Sequence, residues 1–369
     1  MTTSFRHFDH PPENRVLPHR PTAPVTAPRV PVPGGHRPRA VLAMHRGLAA
    51  RLIDHDTLER LTRLADLDPT LVLDDFTSPE AVAALADTEV LVSSWGCPPL
   101  SEDVLAAAPR LRAVFHAAGS VKHHITDACW ERGLLVTSAA MANALPVAEY
   151  TVAAVLFANK RLLRISADYR ERRGPFDWET EYQDIGNHHR TVGIVGASRI
   201  GRRVIELLRL FDLRLLLHDP YVSEDEAAAL GVRPVSLEEL CARSDVVSVH
   251  APQLPETRHM ISRAMLALMG DGTTLVNTSR GSLVDQDALV DELVSGRLDA
   301  VLDVTEPDVL PADSPLYDLP NVLLTPHAAG SLGNELHRMA AAAVDELARY
   351  AEGRPLAHPV HRQDIQRGA

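Results

Sequence analysis

Apolar runs of three to six residues recur from Arg39 onward, separated by stretches whose apolar positions fall three or four apart. Arg39–Met44, Leu71–Leu73, Val90–Ser93, Ala113–Phe115 and Leu134–Val136 form one set. Runs this short and this uniformly apolar, spaced by helical stretches such as Ser101–Ala108, predict strands buried on both faces of a parallel sheet. A second set of six follows at Thr191–Val195, Leu213–Leu217, Val246–Val249, Thr274–Asn277, Ala300–Asp303 and Val322–Leu324. Two such sets predict an α/β chain with two doubly wound sheets.

Between the sets, Pro146–Leu163 reads as one long helix joining them. Beyond Gly330, the positions Leu336, Met339, Ala343, Leu347 and Tyr350 keep helical spacing over Asn334–Tyr350, and Gly353 with Pro355 supplies a stop. Residues 11–38 hold nine of the 27 prolines and almost no periodic apolar pattern, which predicts a disordered or polyproline-like tail over 1–38.

Composition adds bounds to this pattern. A chain of 369 residues exceeds the size at which one core stops growing, in keeping with two domains. Its 45% apolar and 23% charged content is that of a soluble globular protein. A net charge of −12 without a dense Lys/Arg cluster argues against nucleic acid or an anionic membrane as partner. The most apolar stretch, Ala144–Ala158, is interrupted by Pro146 and Glu149, so no membrane span is expected, and the N-terminus lacks the apolar core of a signal peptide. Cys97, Cys129 and Cys241 are odd in number, scattered and without metal-ligand spacing, which fits a reducing cytoplasm and predicts no metal centre. Cys97 follows Trp95-Gly96 in a candidate substrate loop.

The turn after the strand at Val192 reads Gly193-Ile194-Val195-Gly196-Ala197-Ser198-Arg199-Ile200-Gly201. Gly196 and Gly201 occupy the first and third places of a dinucleotide fingerprint, while Ser198 replaces the second glycine. A Cβ there costs room beside a pyrophosphate, although its hydroxyl could donate to a phosphate oxygen. Position strengthens the imperfect motif. It sits between a strand and a helix apolar at Ile200, Val204, Leu207, Leu208 and Phe211, and Asp219 lies 18 residues after Gly201, where an acid reads the adenosine ribose. A carboxylate there repels a 2′-phosphate and favours NAD over NADP.

Three later segments each place one ionisable residue just past a strand. They are Asn277-Thr278-Ser279-Arg280-Gly281, Leu302-Asp303-Val304-Thr305-Glu306-Pro307 and Thr325-Pro326-His327-Ala328-Ala329-Gly330. Ligands of doubly wound sheets sit beyond the carboxyl ends of the strands, so a guanidinium, a carboxylate and an imidazole would share one rim. That is a minimal set for moving a proton and a hydride on a 2-keto or 2-hydroxy acid. Arg280 can grip the substrate carboxylate with its planar fork. His327 can exchange the proton at the C2 oxygen, and Glu306 can orient that imidazole and favour its charged form.

On these segments, together with His250-Ala251-Pro252, Pro255-Glu256-Thr257 and Ala118-Gly119-Ser120, the chain resembles the D-isomer-specific 2-hydroxyacid dehydrogenases from about Val41 to about Arg354. The resemblance implies two Rossmann-like doubly wound parallel-sheet domains with a cleft between them. It divides the chain into a discontinuous substrate-binding domain (39–145 and 331–358), an NAD-binding domain (146–330) and a C-terminal tail (359–369). It implies Arg280, Glu306 and His327 as catalytic residues. Gly196, Ser198, Arg199, Ile200, Asp219, Ala251, Pro252, Thr257, Thr278, Ser279, Asp303, His327 and Gly330 would hold NAD, with Asp303 at the nicotinamide carboxamide. Trp95, Gly96, Ala118, Gly119, Ser120 and Arg280 would bind the substrate. A cytoplasmic homodimer acting on a small 2-keto or 2-hydroxy acid is the corresponding expectation. Two departures stand out: Ser198, and Thr305 where the family often carries an aromatic residue before the glutamate. Two other readings are weighed. An NAD(H)-sensing interaction scaffold, as in the corepressors of the same fold, draws only on the proline-rich tail. Formate oxidation needs no proton acceptor and pairs the histidine with an amide, so Glu306 speaks against it.

Overall fold

The computed structural model describes residues 37–363; the proline-rich segment through residue 36 and residues 364–369 lie outside it. The first sheet comprises β1 (Ala40–Ala43), β2 (Val72–Leu73), β3 (Val90–Ser93), β4 (Ala113–His116) and β5 (Leu135–Ser138). Its order is β2-β1-β3-β4-β5 with every pairing parallel. Each residue of β1, β3 and β4 is buried, because both faces are covered. Leu42, Val92 and Phe115 face one apolar cluster, and their neighbours Val41, Leu91 and Val114 face another. This two-sided burial is why the strands read as unbroken apolar runs.

The second sheet comprises β6 (Thr191–Val195), β7 (Arg214–His218), β8 (Arg233–Pro234), β9 (Val246–Val249), β10 (Thr274–Asn277), β11 (Asp299–Leu302) and β12 (Val322–Leu324). The order is β12-β11-β10-β9-β6-β7-β8, again wholly parallel. Seven strands stand where the pattern predicts six. The addition, β8, is two exposed residues long and contains proline, which only an edge accepts. The sheet reverses its winding between β6 and β9, so the crevice outside their carboxyl ends is the expected ligand position.

A helix at Ala140–Asn159 links the two sheets, beginning six residues earlier than the pattern indicates. Its N-cap is Ala139 with no side-chain cap, so no local signal marks the start. It is long and apolar enough to cross a membrane by length and composition. Here it spans the two cores: Ala139 and Ala142 join the cluster of the first sheet, while Ala148, Ala154 and Val155 join the cluster around β6. The helix Leu336–Ala351, entered through a short 3-10 turn at Gly333–Glu335, packs back on the first sheet. There Tyr350 meets Phe115 edge-on at 5.7 Å. Helices Leu162–Arg172 and Trp178–Glu181 bury no residue, which is why no apolar periodicity announces them.

Candidate active site

The carboxyl ends of β6 and β7 build the turn that the fingerprint predicts. Gly196 has φ +97, and a Cβ on it would stand 2.7 Å from the Ala251 nitrogen. A Cβ on Gly201 would meet the Gly196 carbonyl oxygen at 2.1 Å. Only glycine fits either position. Ser198 caps the helix Arg199–Leu208, its Oγ accepting from the Gly201 N–H at 3.3 Å. A serine at the second fingerprint place therefore adopts ordinary backbone geometry (φ −62) and serves as an N-cap. Asp219 turns back onto this loop, its Oδ2 accepting from the Ala197 N–H at 2.7 Å and its Oδ1 from the Tyr221 N–H at 2.9 Å. Ala251 and Pro252 continue from His250. That imidazole is wholly buried on Ser248 Oγ at 2.8 Å, and burial pushes it down to about 3, so it is neutral. Thr257, one turn further on, closes its own loop by donating to the Pro252 carbonyl at 2.7 Å.

The rim continues along β10, β11 and β12. Asn277, Leu302 and Leu324 are aligned in register, so Arg280, Glu306 and His327 all leave the sheet on the same edge within four residues of it. Asn277 shapes the first loop, donating to the Arg280 carbonyl at 2.8 Å and accepting from the Ser279 N–H at 3.1 Å. Ser279 anchors that loop to β9 through the Val249 carbonyl at 2.7 Å. The exposed Arg280 guanidinium rests on the Ser279 carbonyl at 2.6 Å. Thr278 meets Thr151 of the linking helix, with hydroxyl oxygens 3.0 Å apart.

Asp303 is 1% exposed, and both carboxylate oxygens are occupied by the next loop. Oδ1 accepts from Thr325 Oγ1 at 2.6 Å and from the Ala328 N–H at 2.7 Å, and Oδ2 accepts from the Ala329 N–H at 2.9 Å. It therefore acts as a clamp on the segment that carries His327. His327 itself has φ +57, an uncommon conformation for a residue with a Cβ, and its N–H donates to the Asp303 carbonyl at 2.8 Å. Its imidazole is exposed.

Glu306 departs from the expected pairing. Its Oε1 accepts from Arg258 Nη1 at 2.8 Å, and its Oε2 lies 3.6 Å from His259 Nε2. Among the described residues no hydrogen bond joins it to His327. The Arg258 guanidinium, and after it His259, holds the Glu306 carboxyl below its ordinary range. The Glu306 main chain is gripped on both sides by Gln286, which donates to its carbonyl at 2.8 Å and accepts from its N–H at 2.9 Å. Thr305, which stands where the family often has an aromatic residue, is buried and donates to the Pro307 carbonyl at 2.7 Å.

The first domain contributes two loops. Trp95 is 42% exposed, its carbonyl accepting from the His45 N–H at 3.0 Å. Gly96 has φ +82, and a Cβ there would meet the His45 ring at 2.4 Å. Ala118 is fully buried, and Gly119 and Ser120 are half-buried at the carboxyl end of β4. Cys97 is buried, and burial pushes its thiol up to about 12, which removes it as a nucleophile. Sequence reading missed Gln286, Arg258 and also Asn143. The Asn143 Oδ1 accepts from the Ser331 N–H at 3.0 Å, and its Nδ2 would lie 3.5 Å from a Cβ on Gly119. It thus stands between the substrate loop of one domain and the Gly330 segment of the other. Away from this rim, the exposed groups His188, His189 and Asp212 could hold a metal ion, at the opposite ends of β6 and β7.

Comparison with known proteins agrees with this architecture. Residues 152–329 match the NAD-binding domain of the D-isomer-specific 2-hydroxyacid dehydrogenases. A D-3-phosphoglycerate dehydrogenase of Methanocaldococcus jannaschii is 32% identical over 76% of this chain and 52% of its own length. The chain thus spans about half the length of the phosphoglycerate dehydrogenases it matches. A glyoxylate reductase of Korarchaeum cryptofilum is 35% identical over 74% of this chain and 82% of its own. Among solved structures, the apo form of Rhodotorula graminis D-mandelate dehydrogenase superposes with a TM-score of 0.73 at 26% identity, covering 89% of this chain and 98% of that one. Sharing 35% identity with a relative of which it covers 82%, and matching the family's NAD-binding domain over residues 152–329, the chain belongs to the D-isomer-specific 2-hydroxyacid dehydrogenase family.

Proposed function

We propose that the chain is an NAD-dependent oxidoreductase that interconverts a 2-keto acid and a D-2-hydroxy acid. The observation that carries this reading is the register of β10, β11 and β12, which delivers Arg280, Glu306 and His327 to one rim beside the Gly196 turn. The turn suits a dinucleotide. The space a Cβ would fill at Gly196 is closed by the Ala251 backbone, and the capped N-terminus of the helix Arg199–Leu208 favours a pyrophosphate. Asp219 stands at the ribose position. Bound NADH supplies the hydride for C2.

This chain's residues would do the rest. Backbone N–H groups at 95–96 and 118–120 and the Arg280 guanidinium bind the carboxylate, while the Ser94 N–H donates to the Ala43 carbonyl at 3.1 Å. Arg280 also stabilises charge growing on the carbonyl oxygen, an effect of about 2–4 kcal/mol for a single well-placed donor. His327, protonated, donates to that oxygen as it becomes a hydroxyl. Glu306 favours the charged imidazole once its carboxylate turns from Arg258 toward it. We further propose a cytoplasmic homodimer. Three buried free thiols suit a reducing compartment, and Phe157, Tyr169 and Trp178 lie exposed on three successive helices.

Steady-state NADH oxidation across glyoxylate, hydroxypyruvate, pyruvate and phenylpyruvate tests the reaction. Turnover of one or more is expected. Tight NADH binding with no turnover of any would sink the enzymatic reading in favour of a nucleotide-sensing scaffold.

A further inference from the structure

Under the two substrate loops lies a polar cluster that the proposed chemistry does not use. Ser93 ends β3, immediately before Ser94-Trp95-Gly96, and His116 ends β4, two residues before Ala118; the strand register sets Ser93 opposite His116. Ser93 Oγ lies 3.0 Å from His116 Nδ1 and 3.4 Å from His124 Nε2, and the two rings are 4.4 Å apart. The three residues are 0%, 2% and 2% exposed. Burial, and after it the His124 ring, holds His116 well below its ordinary range; burial, and after it His123, lowers His124 to about 4, so both rings are neutral at neutral pH. One hydroxyl suits two neutral imidazoles, since it donates to a nitrogen of one and accepts from the other.

The cluster reaches both loops. His116 lies against the Ser120 backbone, and its Nε2 is buried with no hydrogen-bond partner among the described residues. The adjoining Ser94 hydroxyl donates to the Ala117 carbonyl at 3.1 Å, and the Ala117 N–H donates to the Ser93 carbonyl at 2.7 Å. On the far side, the His124 carbonyl accepts from the Leu100 N–H at 2.8 Å, which ties down the chain leaving Trp95. Burying three polar side chains costs free energy that apolar neighbours such as Val92 and Phe115 would not incur. The geometry offers one return for that cost: a fixed spacing between the loops.

We propose that Ser93, His116 and His124 are positioning residues for the substrate carboxylate, a strut that holds the 94–96 and 118–120 loops so that their N–H groups converge. This rests on reading those loops as the carboxylate site. The test uses Ser93→Ala, His124→Leu and the conservative His124→Gln, which keeps a polar group near Nε2. Amide hydrogen exchange is followed at both loops, and KM and kcat are measured with glyoxylate and phenylpyruvate as probes. In Ser93→Ala and His124→Leu, exchange at both loops and KM are each expected to rise about tenfold, as for a lost buried hydrogen bond, with kcat and the NADH Kd little changed. His124→Gln should stay near the parent. Unchanged exchange at the loops overturns the strut. So does loosened exchange with an unchanged KM, or a parallel loss of NADH binding, kcat and thermal stability, which marks plain core packing. A parent protein that turns over no keto acid fails the functional reading instead, and hydrogen exchange then decides the strut alone.

Discussion

Arg258 holds the Glu306 carboxylate that the proposed mechanism assigns to His327. Its guanidinium holds that carboxylate at 2.8 Å and draws its carboxyl below the ordinary range. On the proposed mechanism the carboxylate must shift to the imidazole to favour the proton-donating form, so the two substitutions should act oppositely. Glu306→Gln is expected to lower the pH above which reduction fails. Arg258→Leu, by freeing the carboxylate, is expected to raise it, by about a pH unit, the size typical of one close opposite charge. A pH–rate profile that Arg258→Leu leaves in place would show that Glu306 serves His327 without leaving the guanidinium. Asp219 carries a separate prediction. Its removal should narrow the preference for NAD over NADP, measured as a ratio of kcat/KM. An unaltered ratio would mean that another group reads the ribose.

Asp303 shows how one side chain fixes a whole segment. It accepts three hydrogen bonds from Thr325, Ala328 and Ala329, and its own carbonyl accepts the N–H of His327 in a left-handed conformation. Asp303→Ala would leave buried donors unpaired, at a cost of about 2–4 kcal/mol in urea unfolding together with a drop in kcat. A normal kcat in that variant would show that His327 keeps its place without the clamp. Most strands were legible in the sequence because they lie between two covered faces, so most of their positions are buried and apolar. Arg280, Glu306 and His327 were legible because each follows such a strand. Their partners were not. Gln286 meets Glu306 across 20 residues and Asn143 meets Ser331 across 188, and no local periodicity encodes either contact. The same holds for β8 and for the helices over 162–181, which bury too little to leave a pattern.

Buried neutral histidines tie the stability of the whole chain to pH. His124 and His250 have folded values of about 4 and about 3, both below the ordinary 6.5. Above pH 6.5 both the folded and the unfolded chain hold these rings neutral, so they contribute nothing to the pH dependence. As pH falls from 6.5 toward 3, the unfolded chain takes up protons that the folded chain refuses. Stability is then lost by several kcal/mol in total, on the order of 1.4 kcal/mol for each tenfold difference in proton affinity between the two states. The melting temperature should therefore be flat near pH 7–8 and fall steadily below about pH 6. His250→Gln should soften that fall, and an identical slope in the variant would place the acid sensitivity elsewhere. The linking helix Ala140–Asn159 belongs to both cores, so melting of the two domains is expected as one transition, not two.

The contact between Gly281 and the Thr305–Glu306 peptide has a consequence for how this site can change. A Cβ at 281 would stand 2.1 Å from the Thr305 carbonyl carbon and 2.6 Å from the Glu306 nitrogen, while Gln286 accepts from the N–H of that peptide and donates to the carbonyl of the next. The loop that carries the guanidinium and the loop that carries the carboxylate are thus each other's mould. Variation at 281, 286 and 305 is therefore expected to be epistatic: single replacements should register almost uniformly as losses, and new alleles should become tolerable only in combination. The paths open to divergence then run through the less buried positions of the neighbouring loops, Trp95 and Ser120, where a side chain can be exchanged without recasting the mould.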